Sequence, residues 1–410
     1  MKFVRTVSNG RLLATIAGLL IAAAAGTAIA VAAAGQGPVA PAKPLANAVH
    51  DALAAPSVSG ISADITFTNN LIGASNFTGG STDPILQGAT GRLWISSSHQ
   101  MRLELQSANG DAQIVVNQHS FWVSDPALHT VYKGTLPAAQ TGAKPALAGT
   151  SGILTVAQIQ TDINKLMQHV VVSGARPGDV AGQAAYTVHV SPQHDGGLLG
   201  SAQLAWDAIR GVPLRVAIYA RNNPTPVLEL KATNISYGPV ARSDFAVTPP
   251  AGSKVVTVAT ASASSAKAAA EPKSAHARHT SVSGVAAVSG ALPFKLVAPD
   301  ALVGLPRHAV KLLNWGGKPA ALVTYGQNLG GIAVIEQTAS SSSAAKSQTQ
   351  NQSGPGQSGL SLPTISVNGA TGQELATALG TVVRFTRGGV AYTVLGSVPP
   401  IAAEKAANAL

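Results

Sequence analysis

The sequence predicts a mainly β protein of the α+β class. It would consist of a large curved antiparallel sheet, followed by a second, smaller α+β domain. Three observations lead there. Ile61, Ala63, Ile65 and Phe67 alternate with Ser62, Asp64, Thr66 and Thr68, the period of a half-buried strand. Further strand-like runs follow at short intervals, separated by turn formers such as Ala108-Asn-Gly-Asp111, which favours successive antiparallel strands over βαβ units. Helical spacing occurs in only a few places, at 45–53, 156–170 and the C-terminal 401–410.

In order, Leu45, Val49 and Leu53 form an apolar stripe suited to lie across a sheet. Strands are expected at 61–68, 91–96, 100–107, 112–117, 119–124 and 130–133. A Pro/Gly/Ala-rich loop (137–152) leads to a helix in which Val156, Ile159, Ile163, Leu166 and Val170 share one face. Strands resume at 184–190, 201–208, 214–220, 226–236 and 245–247. Residues 45–256 thus form one β domain and 257–283, Ala/Ser-rich without an apolar period, a flexible linker. In the second domain, 284–410, strands are expected at 294–297, 308–313, 320–325, 331–337, 364–368, 382–386 and 390–395. The low-complexity insertion 338–362 is placed between neighbouring strands. Arg387-Gly-Gly-Val390 signals a hairpin, because two glycines supply the positive φ that tight hairpin turns need.

Composition narrows the function. The 410 residues contain no cysteine, which excludes disulfides, thiolate metal sites and cysteine nucleophiles. Lys+Arg outnumber Asp+Glu by 27 to 17, but Lys2, Arg5 and Arg11 lie at the extreme N-terminus and the remainder forms no basic block, so no nucleic-acid partner is expected. Those three cations precede the uncharged stretch Leu12–Ala34, which as a helix would reach roughly 34 Å, enough to cross a bilayer core. Residues 1–34 are read as a signal peptide cleaved near Ala30 or Ala34, or as a signal-anchor transmembrane helix. Either reading puts the rest outside the cytoplasm, by the positive-inside rule. The Pro-rich segment 35–44 serves as a tether. There is no GxSxG, HExxH, GxxxxGK[ST] or GxGxxG pattern and no cluster of His, Asp and Glu with ligand spacing, so no catalytic residue, metal or cofactor is expected and the protein is not read as an enzyme.

Binding is the stronger expectation. Met101, Leu103 and Leu105 face one way from their strand, while Arg102, Glu104 and Gln106 face the other; Trp94, Phe121 and Trp122 lie on nearby strands. These apolar residues either close an ordinary core or line an unfilled cavity that takes an acyl chain. Phe121 and Trp122 point oppositely in a regular strand, so at most one of them lines such a cavity.

The segment Gly91-Arg-Leu-Trp-Ile, His99-Gln-Met-Arg-Leu-Glu-Leu, Asn109-Gly-Asp-Ala-Gln-Ile-Val-Val and Ser120-Phe-Trp-Val-Ser-Asp-Pro-Ala-Leu-His-Thr-Val-Tyr resembles the LolA/RseB-like superfamily of outer-membrane lipoprotein carrier-like proteins. Arg102, Ile114–Val116, Trp122, Asp125-Pro126 and Val131 match its pattern in order, and Asn117-Gln118-His119 replaces its Asp-Gly turn. The diagnostic part covers 91–133 and the overall likeness about 45–250. The resemblance implies an envelope protein, of actinobacterial type, whose curved sheet is an unclosed β-barrel covered by helices and holds a lipid or the acyl chains of a lipoprotein. Trp94, Met101, Leu103, Leu105, Phe121 and Trp122 would line the site, and Arg102, Asp125 and Pro126 would have structural roles. The run Ile365–Gly369, Val382–Thr386, Val390–Ser397 and the closing helix resemble the small envelope domain of RseB-like and anti-sigma-associated proteins, with Phe385 in place of its Trp and Arg387 in place of its acidic residue. The alternative function is therefore an envelope-stress or anti-sigma-associated regulatory protein, with another envelope protein as partner and no lipid transport.

Residues 257–283 carry too few apolar atoms to offset the entropy of ordering them. Limited proteolysis is expected to cut first between Val258 and Ser283 and release two resistant fragments. Survival of that stretch while the β regions are digested would contradict the two-domain reading.

Overall fold

The computed structural model describes residues 37–73, 83–98, 100–108, 110–117, 120–126, 129–136, 154–258, 282–315, 318–339 and 362–410. The expected membrane segment 12–34, the start of the tether and most of both low-complexity segments lie outside the described residues. Among those described, no helix is long and apolar enough to cross a membrane.

The chain is mainly β, in two sheets. The first has thirteen strands: β1 (Gly60–Asn69), β2 (Gly88–Ser96), β3 (Met101–Leu105), β4 (Ala112–Asn117), β5 (Ser120–Asp125), β6 (Thr130–Thr135), β7 (Val170–Val172), β8 (Arg176–Val180), β9 (Gln183–Pro192), β10 (Leu199–Asp207), β11 (Pro213–Ala220), β12 (Pro226–Tyr237) and β13 (Lys254–Val258). Their order is β13-β6-β5-β4-β3-β2-β1-β12-β11-β10-β9-β7, with β8 also on β9. The sheet is unclosed, since β13 and β7 end it without pairing to each other. Two antiparallel meanders, β1–β6 and β9–β12, meet at β1–β12, where Ile61 opposes Tyr237 and Phe67 opposes Leu230. A register shift between Asp64 and Ile65 leaves Thr233 unpaired; its hydroxyl donates to the Asp64 carbonyl at 3.2 Å.

Several expectations are corrected. The sheet is mixed, because β13 runs parallel to β6. The residues expected as a strand at 245–247 instead follow a 3-10 turn, Arg242–Phe245. Phe245 is buried and Val247 packs on the sheet, so alternate apolar residues here mark a strap, not a strand. The helix at 156 ends at Leu166, short of Val170. The β-branched run Val170–Val172 pairs with β9 instead, as β-branched side chains favour. Strand β13 takes the first two residues of the expected linker.

Three helical segments accompany this sheet. The first, α1 (Leu45–Ala54), packs Ala48 with Tyr186 and Trp206. Its end meets the β10–β11 turn, where Gly211 (φ +67) approaches so closely that a Cβ would lie 2.3 Å from the Ala52 carbonyl oxygen; only glycine fits. A four-residue turn of helix, α2 (Pro84–Gln87), is capped by Asp83. The third, α3 (Val156–Leu166), begins with a capping box: the Gln158 amide N–H donates to the Thr155 hydroxyl and the Thr155 N–H to the Gln158 side chain.

The second sheet has eight strands: β14 (Ala301–Leu302), β15 (Leu305–Trp315), β16 (Lys318–Tyr325), β17 (Ile332–Thr338), β18 (Thr364–Val367), β19 (Ala370–Thr377), β20 (Gly380–Arg387) and β21 (Val390–Gly396), ordered β14-β15-β16-β17-β21-β20-β19-β18. Helices α4 (Val285–Gly290) and α5 (Pro400–Asn408) accompany it. The expected hairpin turn is present, with φ +56 and +77 at Gly388 and Gly389. The expected strand 294–297 is irregular chain whose Phe294, Leu296 and Val297 pack on the core. The insertion does not join neighbours either: β21, β20 and β19 intervene between β17 and β18. Strand β19 went unpredicted because ATGQELAT carries little apolar alternation. The two sheets touch through main chain, Leu198 N–H to Ser397 O at 3.0 Å, Gly330 N–H to Asp195 O at 3.3 Å and Ala378 N–H to Leu71 O at 2.9 Å.

The second core encloses a carboxyl group. Glu336 on β17 is 0% exposed, accepts the Val297 N–H at 3.0 Å, and leaves Oε1 without a partner. Burial pushes its pKa from 4.5 up to about 7, against the lowering effect of the Val297 bond. A carboxyl raised on folding binds protons more tightly in the native state. Its contribution is therefore full below about pH 4.5 and is lost as pH rises through about 7, a swing of about 3 kcal/mol. Glu336→Gln should flatten the decline in thermal stability between pH 5 and pH 8. Equal slopes for wild type and variant would refute this.

Candidate functional site

Antiparallel register fixes which side chains share a face. Ile61, Ile95, Met101, Val116, Phe121 and Gly134 stand opposite one another across β1–β6; Ala63, Leu93, Leu103, Ile114, Val123 and Tyr132 form the next row; Ile65, Gly91, Leu105 and Ala112 form a third. At about 4.8 Å per strand, Ile61 to Phe121 spans about 19 Å. The Phe121 ring lies over Gly134, where a Cβ would come within 2.6 Å of it. Alternation within each strand put apolar side chains on one face, and pairing joined those faces into one surface.

This surface is sealed only at one end. Ile61, Ile65 and Leu105 are buried, and an apolar cavity of about 40 Å³ lies over β1, β2, β11 and β12, lined among others by Ile65, Leu93, Leu214 and Leu230. That space is far too small for an acyl chain. Leu93, Ile95, Met101, Leu103, Ile114, Val116, Phe121 and Val123 are only half-buried. Among the described residues the apolar face is thus an open trough running from a small closed end.

The candidate residues divide between the two faces. Met101, Leu103, Leu105 and Phe121 belong to the trough. Trp94 and Trp122 belong to the opposite face, in the cross-strand row Ser62, Trp94, Arg102, Val115, Trp122 and Lys133. The parity argument had allowed only one of Phe121 and Trp122 on either face, and Phe121 is the one in the trough. Trp122, 8% exposed, packs with Val115, Val131 and Val247. Arg102 stacks on Trp94 with 4.9 Å to the ring centroid, pairs with Glu104 at 2.5 Å and donates to the Asp244 carbonyl at 3.2 Å. The last of these contacts ties the 242–247 strap to the sheet, and the other two fix the Arg102 side chain that makes it. Asp125 and Pro126 end β5: Asp125 is buried and opposes Thr130, and the Pro126 carbonyl accepts the His129 N–H at 3.3 Å. Burial raises the pKa of the neighbouring Asp83, and the Asp125 charge adds to the rise.

A second feature went unread in the sequence. On the polar face of β9–β12, Arg215 Nε donates to Glu229 at 2.5 Å and its Nη2 to the Tyr219 hydroxyl at 2.9 Å; that hydroxyl donates to Gln203 Oε1 at 2.8 Å, and Gln203 Nε2 lies 3.3 Å from His189 Nε2. They line an open groove of about 550 Å³. Burial, then Arg176 and Arg215, push the His189 pKa down. The four strands that supply these side chains are far enough apart in sequence to leave no motif; only charged residues at inter-strand spacing hinted at it. Among the described residues no group of three or more His, Asp or Glu could hold a metal.

The division of faces predicts unequal costs. Trp122→Ala should lower unfolding free energy by about 3–5 kcal/mol, whereas Met101→Ala, on the open trough, should cost about 1–2 kcal/mol. Urea unfolding of both variants tests the assignment, and a Met101 cost equal to that of Trp122 would reverse it.

No family model matches the sequence, and no curated protein does. Solved structures do. The chain is similar to MucB in complex with the periplasmic part of MucA and to the Pseudomonas aeruginosa MucA/MucB complex, each at 15% identity over 88% of this chain and 94% of that one, with a TM-score of 0.36. It is also similar to a domain described as an outer membrane lipoprotein-sorting protein from Vibrio parahaemolyticus, at 10% identity over 46% of this chain and 89% of that one, with a TM-score of 0.19.

Proposed function

We propose that this is a non-enzymatic extracytoplasmic binding protein that holds an acyl chain, of a lipid or a lipoprotein, in the trough of β1–β6. Residues 12–34 would tether it to the cytoplasmic membrane or be removed on export. The observation that carries the reading is the half-exposure of two neighbouring apolar rows across β2–β5, in the middle of a wide sheet, while the opposite face is closed by the 242–247 strap. An apolar face of this extent, left open, gains about 0.8 kcal/mol for each methylene it covers. Met101, Leu103 and Phe121 would meet the chain, Leu105 would close its deep end, and Trp94, Trp122 and Arg102 would act indirectly by fixing the back of the sheet.

The test begins with the protein purified gently from its native membrane and weighed by native mass spectrometry, where a bound lipid is expected. Leu103→Trp should then abolish binding of a fluorescent fatty acid while the cooperative melt stays within a few degrees of wild type. Overpacking of a filled core would instead cost about 1–3 kcal/mol. Destabilisation of that size, with no lipid bound by the wild-type protein, would overturn the proposal.

A further inference from the structure

The polar face of the same sheet carries a second site. Arg176 on β8 opposes Thr187, Thr187 opposes Ala205, Ala205 opposes Arg215 and Arg215 opposes Lys231. Three cations therefore stand in one cross-strand row, separated on β9 and β10 by small residues. At about 4.8 Å per strand the row is about 19 Å long. Arg215 and Lys231 face each other directly, and like charges in that position repel and destabilise a sheet. Glu229 answers Arg215 alone. Among the described residues neither Arg176 nor Lys231 has an ion-pair partner. Of the row, Arg215 also lines a groove of about 550 Å³, together with His189, Gln203 and Tyr219.

The groove is also organised before any ligand arrives. Glu229 fixes Arg215, Arg215 orients Tyr219, Tyr219 orients the buried Gln203, and Gln203 holds His189. Such a chain presets donors towards the groove at little cost in side-chain entropy on binding. Burial first, then the charges of Arg176 and Arg215, oppose protonation of His189. A sheet that retains a repulsive cross-strand pair, an unpaired arginine and a prearranged donor set is built for an anion supplied from outside.

We propose that this row of cations, with the groove that opens beside Arg215, binds the carboxylates of an acidic peptide segment. Arginine suits carboxylate through paired N–H donors. The length of the row selects a chain over a single ion: about six extended residues, with side chains alternating about 7 Å apart on one side, would reach from Arg176 to Lys231. The site is separate from the apolar trough, so neither reading depends on the other.

The test uses the full chain and a fluorescently labelled hexaglutamate peptide at about 150 mM salt, with hexaglutamine and inorganic phosphate as comparisons. Hexaglutamate should bind, hexaglutamine should not, and phosphate should compete only at concentrations at least about tenfold higher. Arg176→Gln and Lys231→Gln should each weaken binding about three- to fivefold without lowering the melt, and Lys231→Gln should raise it slightly by removing the repulsion with Arg215, whereas Lys318→Gln, on the second sheet, should change nothing. Binding should also raise the pH at which the His189 imidazole titrates, read by NMR, because the peptide cancels the field around it. Several results would overturn the proposal. They are equal affinity for the two peptides, binding that survives both variants, binding confined to low salt, or phosphate binding without hexaglutamate binding, which would assign the groove to a free phosphate group.

Discussion

The pairing of β1 with β12 is the constraint on which the first sheet rests. It joins residues 60–69 to residues 226–237, across more than 150 positions of chain, and so welds two local meanders into one surface. Closing a loop of that length costs entropy before any contact returns it. The return comes from Ile61, Ala63 and Ile65, which meet Ala232 and Ile235 in one core cluster. Since side chains alternate with period two, slipping this pair by one residue would turn the whole apolar set of β1 to the other side. The Thr233 bulge, pinned to the Asp64 carbonyl, stands where such a slip would begin.

With the register held, each face acquires a distinct chemistry from ordinary strand sequence. On β3, Met101, Leu103 and Leu105 supply the trough while Arg102 and Glu104 supply the back, where an ion pair and a stacked indole fix Arg102 as it donates to the Asp244 carbonyl of the 242–247 strap. At β9–β12 the helix α1 covers one side and the other is left to polar and charged groups. One continuous sheet can thus be greasy on one side and cationic on the other without any element devoted to separating them.

Much of this was legible in the sequence because it is local. Alternation at Ile61–Phe67, the helical stripe at Leu45–Leu53 and the two glycines after Arg387 each report on their immediate neighbours, and each found its element. The misreadings arose where local pattern and tertiary context part. Phe245 and Val247 alternate like a strand but are side chains of a strap. Val170 continues a helical stripe but is claimed by β9. Trp94 and Trp122 are the large aromatics a binding site would want, yet parity alone could not say which face was open. The His189–Gln203–Tyr219–Arg215 chain was invisible because its members come together only through register.

The joint between the sheets has a mechanical consequence. The tip of the β9–β10 hairpin is fastened to the second sheet by backbone atoms, Leu198 to Ser397 and Asp195 to Gly330, and Gly197 comes so near that a Cβ would lie 2.1 Å from the Ser397 carbonyl oxygen. The two arms of that hairpin carry His189 and Gln203. The hairpin is therefore a lever with its handle in one sheet and its working end in the other: any tilt of the second sheet must be taken up by bending the arms that bear the groove. The Ser397 hydroxyl joins the same contact, accepting the Leu198 N–H at 2.9 Å, so the attachment of the lever asks for a small hydroxyl on one side and a glycine on the other.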